Sequence, residues 1–218
     1  MKSKKIKKKL IILGGDGVGE IAANIALEKN IFSEIFFLND QDKNYIGRFK
    51  KKFKVIGKIS RIKDFLKNDE FAFFNAIINY KKKVDRELYL IEEARKKQIS
   101  LIHPSVKFFK DACRFEKNIL LTHNVCISTG VLIKKNTFVM SNSFIGHNSS
   151  IGRNCFLAAN SCVGGNVEIS DNCFIGLNST IVEYSTMKKF SLLGAHSLLI
   201  NKMGTGETWA GVPAKKLR

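Results

Sequence analysis

Proton transfer near neutral pH needs a group that titrates there, and the four histidines of this 218-residue chain, at 103, 123, 147 and 196, are the candidates. His147 lies in Gly146-His147-Asn148, among small and polar residues, while His103 precedes Pro104. Five cysteines, at 113, 126, 155, 162 and 173, are odd in number and contain no C-x-x-C. Neither a disulfide framework nor a metal site is expected from them. Far upstream, the apolar run Leu10 to Leu13 leads into Gly14-Gly15-Asp16-Gly17-Val18-Gly19 and then a helical stretch from Glu20. Strand, glycine-rich turn and helix in that order present backbone N–H groups and a helix N-terminus to a phosphate or diphosphate. A second strand, Glu34 to Leu38, ends at Asn39 and Asp40, where an acidic residue often meets a ribose or base. The turn does not complete a dinucleotide fingerprint, so a mononucleotide-sized ligand fits better.

The elements that must hold these groups show most plainly after residue 103. From Phe109, each sixth residue is large and apolar through Phe115, Leu121 and Ile127 to Met187, Leu193 and Leu199, sixteen positions without a gap. Four residues after each of these the side chain is mostly small, as at Cys113, Ser143, Cys155, Ser161, Cys173 and Ser197. The residue after each is often Gly or Ala. A period of six matches neither the 3.6 of a helix nor the alternation of a strand. It fits a β-solenoid with a triangular coil, one short strand per side and three hexads per turn. The large residue fills the interior, the small one permits a tight turn, and glycine accepts backbone angles that a Cβ forbids. Sixteen hexads make about five coils, and Cys113, Cys155 and Cys173 read as packing thiols.

That geometry stacks residues eighteen apart on neighbouring coils. Thr129, His147, Gly165 and Glu183 form one column; His123, Ser141, Ala159, Leu177 and Ala195 form another on the next side. Flat solenoid faces commonly associate, and a trimer would cover the apolar walls.

Before the repeat, strands are expected at Leu10 to Leu13, Glu34 to Leu38, Phe53 to Ile56, Phe71 to Ile78 and Leu101 to Ile102. Helices are expected near Arg61 to Lys67 and Val84 to Lys97. This gives a small βαβ domain over residues 1–102 and a β-helix with a terminal loop over 103–218. The chain carries a net charge of +18, spread over both halves. Such a charge suits anionic partners. The lysine clusters lack interleaved aromatics and no RNA- or DNA-binding signature occurs, so nucleic acid is not favoured. No apolar run approaches the roughly 18 residues of a membrane span. The apolar stretch behind the basic N-terminus is too short for a signal peptide. A cytoplasmic location is expected.

A short βαβ domain with GGDGVG, a hexapeptide β-helix containing IGHNSSIG, and a terminal GVPAK together resemble one group over nearly the whole chain. They are similar to the nucleotide-amino-sugar N-acetyltransferases of bacterial glycan pathways and their sialic-acid O-acetyltransferase relatives. The resemblance implies a left-handed β-helix, a homotrimer with active sites between subunits, and acetyl-CoA as donor. It places the catalytic histidine at His147, the general base for direct transfer to a sugar amine, and an oxyanion-binding N–H at Gly165. It further implies Leu177, Gly194 and Ala195 beside the pantetheine arm and Lys215 over the nucleotide end of coenzyme A. Gly15, Asp16 and Gly17 would meet the sugar diphosphate, with Asn39 and Asp40 at the base. The expected substrate is a nucleotide-linked 4-amino-4,6-dideoxy sugar, UDP-linked first of all. O-acetylation of a sialic acid or polysaccharide, and a non-catalytic or anionic-ligand-binding scaffold, are the alternatives. Three positions depart from the pattern. Asn148 stands where an acidic residue usually follows the histidine, and its amide is expected to orient the ring through its carbonyl oxygen. Val18 stands where the family's glycine-rich turn usually carries histidine, and Phe156 where some members do.

Overall fold

In a computed structural model of the chain, residues 7–15, 17–41, 44–47, 52–78 and 92–217 are described. They divide into two units, with the change at Leu101 and Ile102.

The first unit is built on β1 (Lys8–Leu13), whose last four residues have no exposed surface. They are apolar without alternation because β1 is an interior strand, paired in parallel to β2 (Phe32–Leu38) and to β5 (Phe71–Asn75), with both of its faces buried. Strands covered on both faces read as continuous apolar runs. The remaining strands are β3 (Tyr45–Ile46) and β4 (Phe53–Gly57), and the sheet order is β3-β4-β2-β1-β5. Between β1 and β2 runs α1 (Gly17–Glu28), which buries Gly19, Ala22, Ala23, Ile25 and Ala26. Gly19 sets the closeness of that packing: a Cβ there would strike the carbonyl oxygen of Gly14 and lie 3.1 Å from the ring of Phe37.

Three expectations for this unit change. The helix expected near Arg61 is a 3-10 helix, Ile59–Phe65, whose first N–H is donated to Asp40 Oδ1 at 2.9 Å. Only Ile62 of that segment is buried, too little apolar face to select the wider α-helix. The antiparallel β3, two residues long, offers no period to read. Leu101–Ile102 is a strand of the second unit: the next N–H, His103, bonds Leu121 O at 2.9 Å, one coil on. Of the helix expected over Val84 to Lys97, residues 84–91 lie outside the described residues, and α2 spans Glu92–Lys96.

The second unit is a left-handed parallel β-helix of three sheets. The first sheet runs from Leu101–Ile102 to Thr208–Gly211, with Ala214–Lys216 antiparallel at its edge. The second runs from Lys107–Phe108 to Leu198–Leu199, and the third from Arg114–Phe115 to Lys202–Met203. Partners across most of the stack are eighteen apart, as in Phe144↔Cys162 and Ile145↔Val163. From Leu121 to Leu199 each sixth residue is no more than 1% exposed. Two of the sheets hold six parallel strands and the first holds seven, beyond the expected five coils, because the stack starts before the first hexad counted and continues past the last, through Lys202–Met203 and Thr208–Gly211.

Phe109 is a correction. Ile127 pairs with Phe108, nineteen residues back, so the first coil holds one extra residue. Phe108 takes the inward place and Phe109 is 65% exposed.

The turn chemistry is also reassigned. Gly146, Gly152, Gly164 and Gly176 do not adopt left-handed angles; those fall three residues after each inward side chain. Ten asparagines from Asn118 to Asn178, all on the six-residue period, have φ between 55° and 60°. Asn is the non-glycine residue that tolerates this region best, since its short amide bonds locally. The amides then stack between coils, Asn124 Nδ2 donating to Asn142 Oδ1 at 3.2 Å and Asn154 Nδ2 to Asn172 Oδ1 at 3.1 Å. Glycine follows the inward residue for closeness instead: a Cβ on Gly146 would lie 2.5 Å from the backbone of Gly164. The small inward residues are tied across coils, with Thr137 Oγ1 donating to Gly152 O at 2.7 Å and Cys155 Sγ to Ser170 O at 3.1 Å. Cys155 and Cys173 are buried, as packing thiols should be.

Asn160 is exposed and sits at one of these corners with φ 60°. Asn160→Val should destabilise the protein by about 1–2 kcal/mol and Asn160→Gly by much less, as measured by reversible denaturation. Equal losses would remove the corner assignment.

Candidate functional sites

The β-helix brings His147 and Gly165 together. His147 turns the corner between the second and third sheets, and Gly165 occupies the same place one coil on. A Cβ on Gly165 would lie 2.6 Å from His147 Nε2, so the ring fits over this position because glycine has no side chain. The inter-coil ladder uses Gly164 N, donated to Ile181 O at 2.8 Å, and Asn166 N, donated to His147 O at 2.8 Å. It passes over Gly165 N, which has no ladder partner among the described residues.

The next member of the column, Glu183, reaches back across Gly164 and Gly165. Its Oε1 lies 3.5 Å from His147 Nε2, with the two side chains 48% and 53% exposed for His147 and Glu183. The eighteen-residue spacing had put Glu183 in the column; what spacing alone does not give is a glutamate long enough to span the intervening coil. That follows only when Gly164 and Gly165 are seen to clear its path, since a Cβ on Gly165 would lie 2.8 Å from Oε1.

Asn148 is a corner residue first, with φ 57° like the other asparagines. It offers the ring Nδ2 at 3.4 Å from His147 Nδ1, where the carbonyl oxygen was expected. The same nitrogen faces Asn166 Oδ1 at 3.5 Å, because the amide belongs to the corner stack.

Leu177, Gly194 and Ala195 lie elsewhere. They turn the corner between the first and second sheets, with Leu177 54% exposed and Ala195 exposed. Within one chain they are on a different corner of the triangle from His147. Phe156 faces outward on the first sheet and stacks on Phe174 with centroids 5.5 Å apart. His103 is buried, its ring tilted against that of His123 with centroids 3.8 Å apart, and His196 takes a corner place with φ 54°.

Lys215 is exposed on the terminal hairpin, opposite Ala210. Glu207 pins the base of that hairpin: it accepts from Lys216 Nζ at 2.9 Å, Gly204 N at 2.6 Å and Trp209 Nε1 at 2.9 Å. The Lys216 hydrogen bond, then the Gly204 N–H, hold its carboxyl below the ordinary carboxylate value.

In the first unit a cavity of about 610 Å³ opens beside the glycine turn, lined among others by Gly15, Gly17, Val18, Asn39 and Asp40. That size suits a small ligand. Asn39 is 6% exposed and its Nδ2 has no hydrogen-bond partner among the described residues. A Cβ on Gly15 would lie 2.8 Å from this nitrogen, so the glycine leaves the amide open. A buried donor of this kind calls for an acceptor. Asp40 lines the cavity while capping the 3-10 helix, so one of its oxygens is already engaged. Asp16 lies outside the described residues.

Comparison with known proteins agrees with both halves. Residues 9–85 match the PglD N-terminal domain, and residues 130–165 match the bacterial transferase hexapeptide family, which has six repeats. No curated protein matches the chain. Among solved structures, the acetyltransferase domain of PglB from Neisseria gonorrhoeae FA1090 in complex with acetyl coenzyme A aligns with TM-score 0.86 at 21% identity, over 97% of this chain and 100% of that one. A variant of perosamine N-acetyltransferase from Caulobacter crescentus, in complex with CoA and GDP-perosamine, aligns with TM-score 0.86 at 17% identity, over 96% and 97%. WeeI from Acinetobacter baumannii AYE aligns with TM-score 0.82 at 19% identity, over 96% and 100%. At these identities the likeness speaks for the fold.

Two tests follow from the geometry. Gly165→Ala should part His147 from Glu183, visible in a crystal structure as a rotated ring, while thermal stability changes little; an unmoved ring would contradict the contact. Glu207 has a depressed carboxyl, so its stabilisation of the hairpin is full above the ordinary value of 4.5 and is lost as pH falls through its lower native value. Emission from Trp209, the one tryptophan of the chain, should shift over that acid range in the wild type and not in Glu207→Gln. The chain therefore carries a segment similar to the PglD N-terminal domain at residues 9–85 and one similar to the bacterial transferase hexapeptide at residues 130–165, within a β-helix.

Proposed function

We propose that this chain is an acetyl-CoA-dependent N-acetyltransferase acting on a nucleotide-linked 4-amino-4,6-dideoxy sugar, with UDP the first nucleotide to try. The observation that carries the reading is that His147 Nε2 lies over Gly165, whose N–H has no ladder partner among the described residues. An amine attacking a thioester must shed a proton, while the carbonyl oxygen gathers negative charge. An imidazole can take the proton, and a fixed backbone N–H can stabilise the oxygen. No side chain here needs to carry the acetyl group, so transfer is direct. For Nε2 to accept a proton, the ring must carry its own on Nδ1. Half a turn of the Asn148 amide presents Oδ1 to that Nδ1–H and gives up only the 3.5 Å contact to Asn166.

The cavity beside Gly15 and Gly17 supports a nucleoside diphosphate: α1 begins at Gly17, where its free N–H groups and dipole favour an anion. Asn39 Nδ2 would meet an acceptor on the base or ribose. The solved relatives whose names include acetyl coenzyme A, CoA and GDP-perosamine support the same donor and class of acceptor.

A homotrimer with sites between subunits belongs to this reading. Cys126, Phe144 and Cys162 form an exposed, largely apolar strip on the second sheet, with Phe144 40% exposed. The His147 corner and the Leu177–Ala195 corner are separate within one chain, and packing of copies side by side would let both serve one thioester. Lys215 would then lie near the nucleotide end of coenzyme A. Among the described residues no helix is long and apolar enough to cross a membrane. A cytoplasmic enzyme would have both substrates at hand.

The direct test is release of free CoA thiol with acetyl-CoA and UDP- or GDP-linked 4-amino sugars. His147→Ala should lower kcat by about 10²–10⁴-fold. Wild-type turnover in that variant would remove the base.

A further inference from the structure

Glu183 has no place in the reaction just described, yet its carboxylate faces the atom at which the proton would move. His147 Nε2 and Glu183 Oε1 are 3.5 Å apart, beyond the usual 2.7–3.2 Å of an N–H···O hydrogen bond. Both side chains are about half exposed, so the pair gains little by itself. The spacing suits a third atom: a nitrogen about 2.9 Å from each would complete a triangle with both. The other polar side chain on the ring, Asn148, is neutral, with its amide 3.4 Å from Nδ1. Glu183 is thus the negative group at the open edge of the imidazole, in a chain of net charge +18.

We propose that Glu183 is the acceptor-docking carboxylate of this site, holding the protonated amine of the acceptor against His147 Nε2 and selecting amino over hydroxyl acceptors. The inference rests on the acetyl-transfer reading and names the acceptor chemistry of that same site. An ammonium brings a positive charge and three N–H donors to the carboxylate; a hydroxyl brings one donor and no charge. The proton balance then closes. One ammonium proton passes to Nε2, and the freed amine attacks the thioester carbon. The C–N bond forms and the C–S bond breaks. A second proton leaves the nitrogen for the departing thiolate, giving free CoA thiol, and the third stays on the amide. The imidazolium left behind faces Glu183 until it returns its proton to solvent.

Binding without the donor tests this apart from turnover. Calorimetry at pH 7 compares a UDP-linked 4-amino-4,6-dideoxyhexose with its 4-hydroxy counterpart, and the same pair in the GDP series, against wild type, Glu183→Gln and Glu183→Asp. In whichever series binds, the wild type should hold the amino compound about fivefold more tightly, the effect of one solvent-exposed charge contact. Glu183→Gln should bring the ratio to about one, and Glu183→Asp should retain part of it. Equal affinities in the wild type, a ratio untouched in Glu183→Gln, or no binding of the amino compound would overturn the proposal. The two readings separate cleanly. A ratio that collapses in Glu183→Gln without CoA release in the full assay keeps Glu183 and discards acetyl transfer. CoA release from an amine with the ratio unchanged does the reverse.

Discussion

The constraint on which this molecule depends is the fixed step between coils. Burial of each sixth side chain, from Leu121 to Leu199, locks the triangular turn, and parallel pairing then sets residues eighteen apart above one another. Nothing else in the second unit has comparable authority over position. His147, Gly165 and Glu183 are distant in sequence and share no helix, strand or loop, yet one register places them in a line. The site is consequently as rigid as the ladder beneath it. Substitutions that leave the apolar repeat alone should leave the column where it is.

Two demands meet at Asn148. The corner needs a residue that accepts left-handed angles, and ten asparagines satisfy it along the stack. The ring beside it would gain from a negative neighbour. Aspartate also tolerates this backbone region, so the corner does not compel an amide. The amide instead keeps the inter-coil stack with Asn166, and the carboxylate facing the imidazole comes from Glu183, two coils away. Gly164 and Gly165 make that reach possible by leaving the face between them bare.

The hexad made the solenoid and its columns legible from sequence, because burial repeats at an interval that no helix or simple strand shares. Its limits are equally physical. Apolarity alone could not reveal that Phe109 is displaced by an extra residue in the first coil, since Phe108 beside it is identical in type. The asparagine period was present in the sequence, but small residues and glycines at neighbouring offsets drew the turn assignment away from it. The role of Glu183 depended on side-chain length and on empty space above glycine, neither of which spacing reports. In the N-terminal unit the glycine turn, α1 and the Asn39–Asp40 strand end were readable. The engagement of Asp40 as a cap for Ile59 was not, because it joins residues nineteen apart, with β3 and β4 between them.

The central claim is that the register of the coils builds an acyl-transfer site at the His147 corner. A crystal structure of the protein with acetyl-CoA bound tests it most directly. The account places the thioester carbonyl oxygen within about 3 Å of Gly165 N, with the acetyl carbon on the side of His147 Nε2. A thioester seated at another corner, or a carbonyl turned away from Gly165 with the imidazole out of reach, would contradict it.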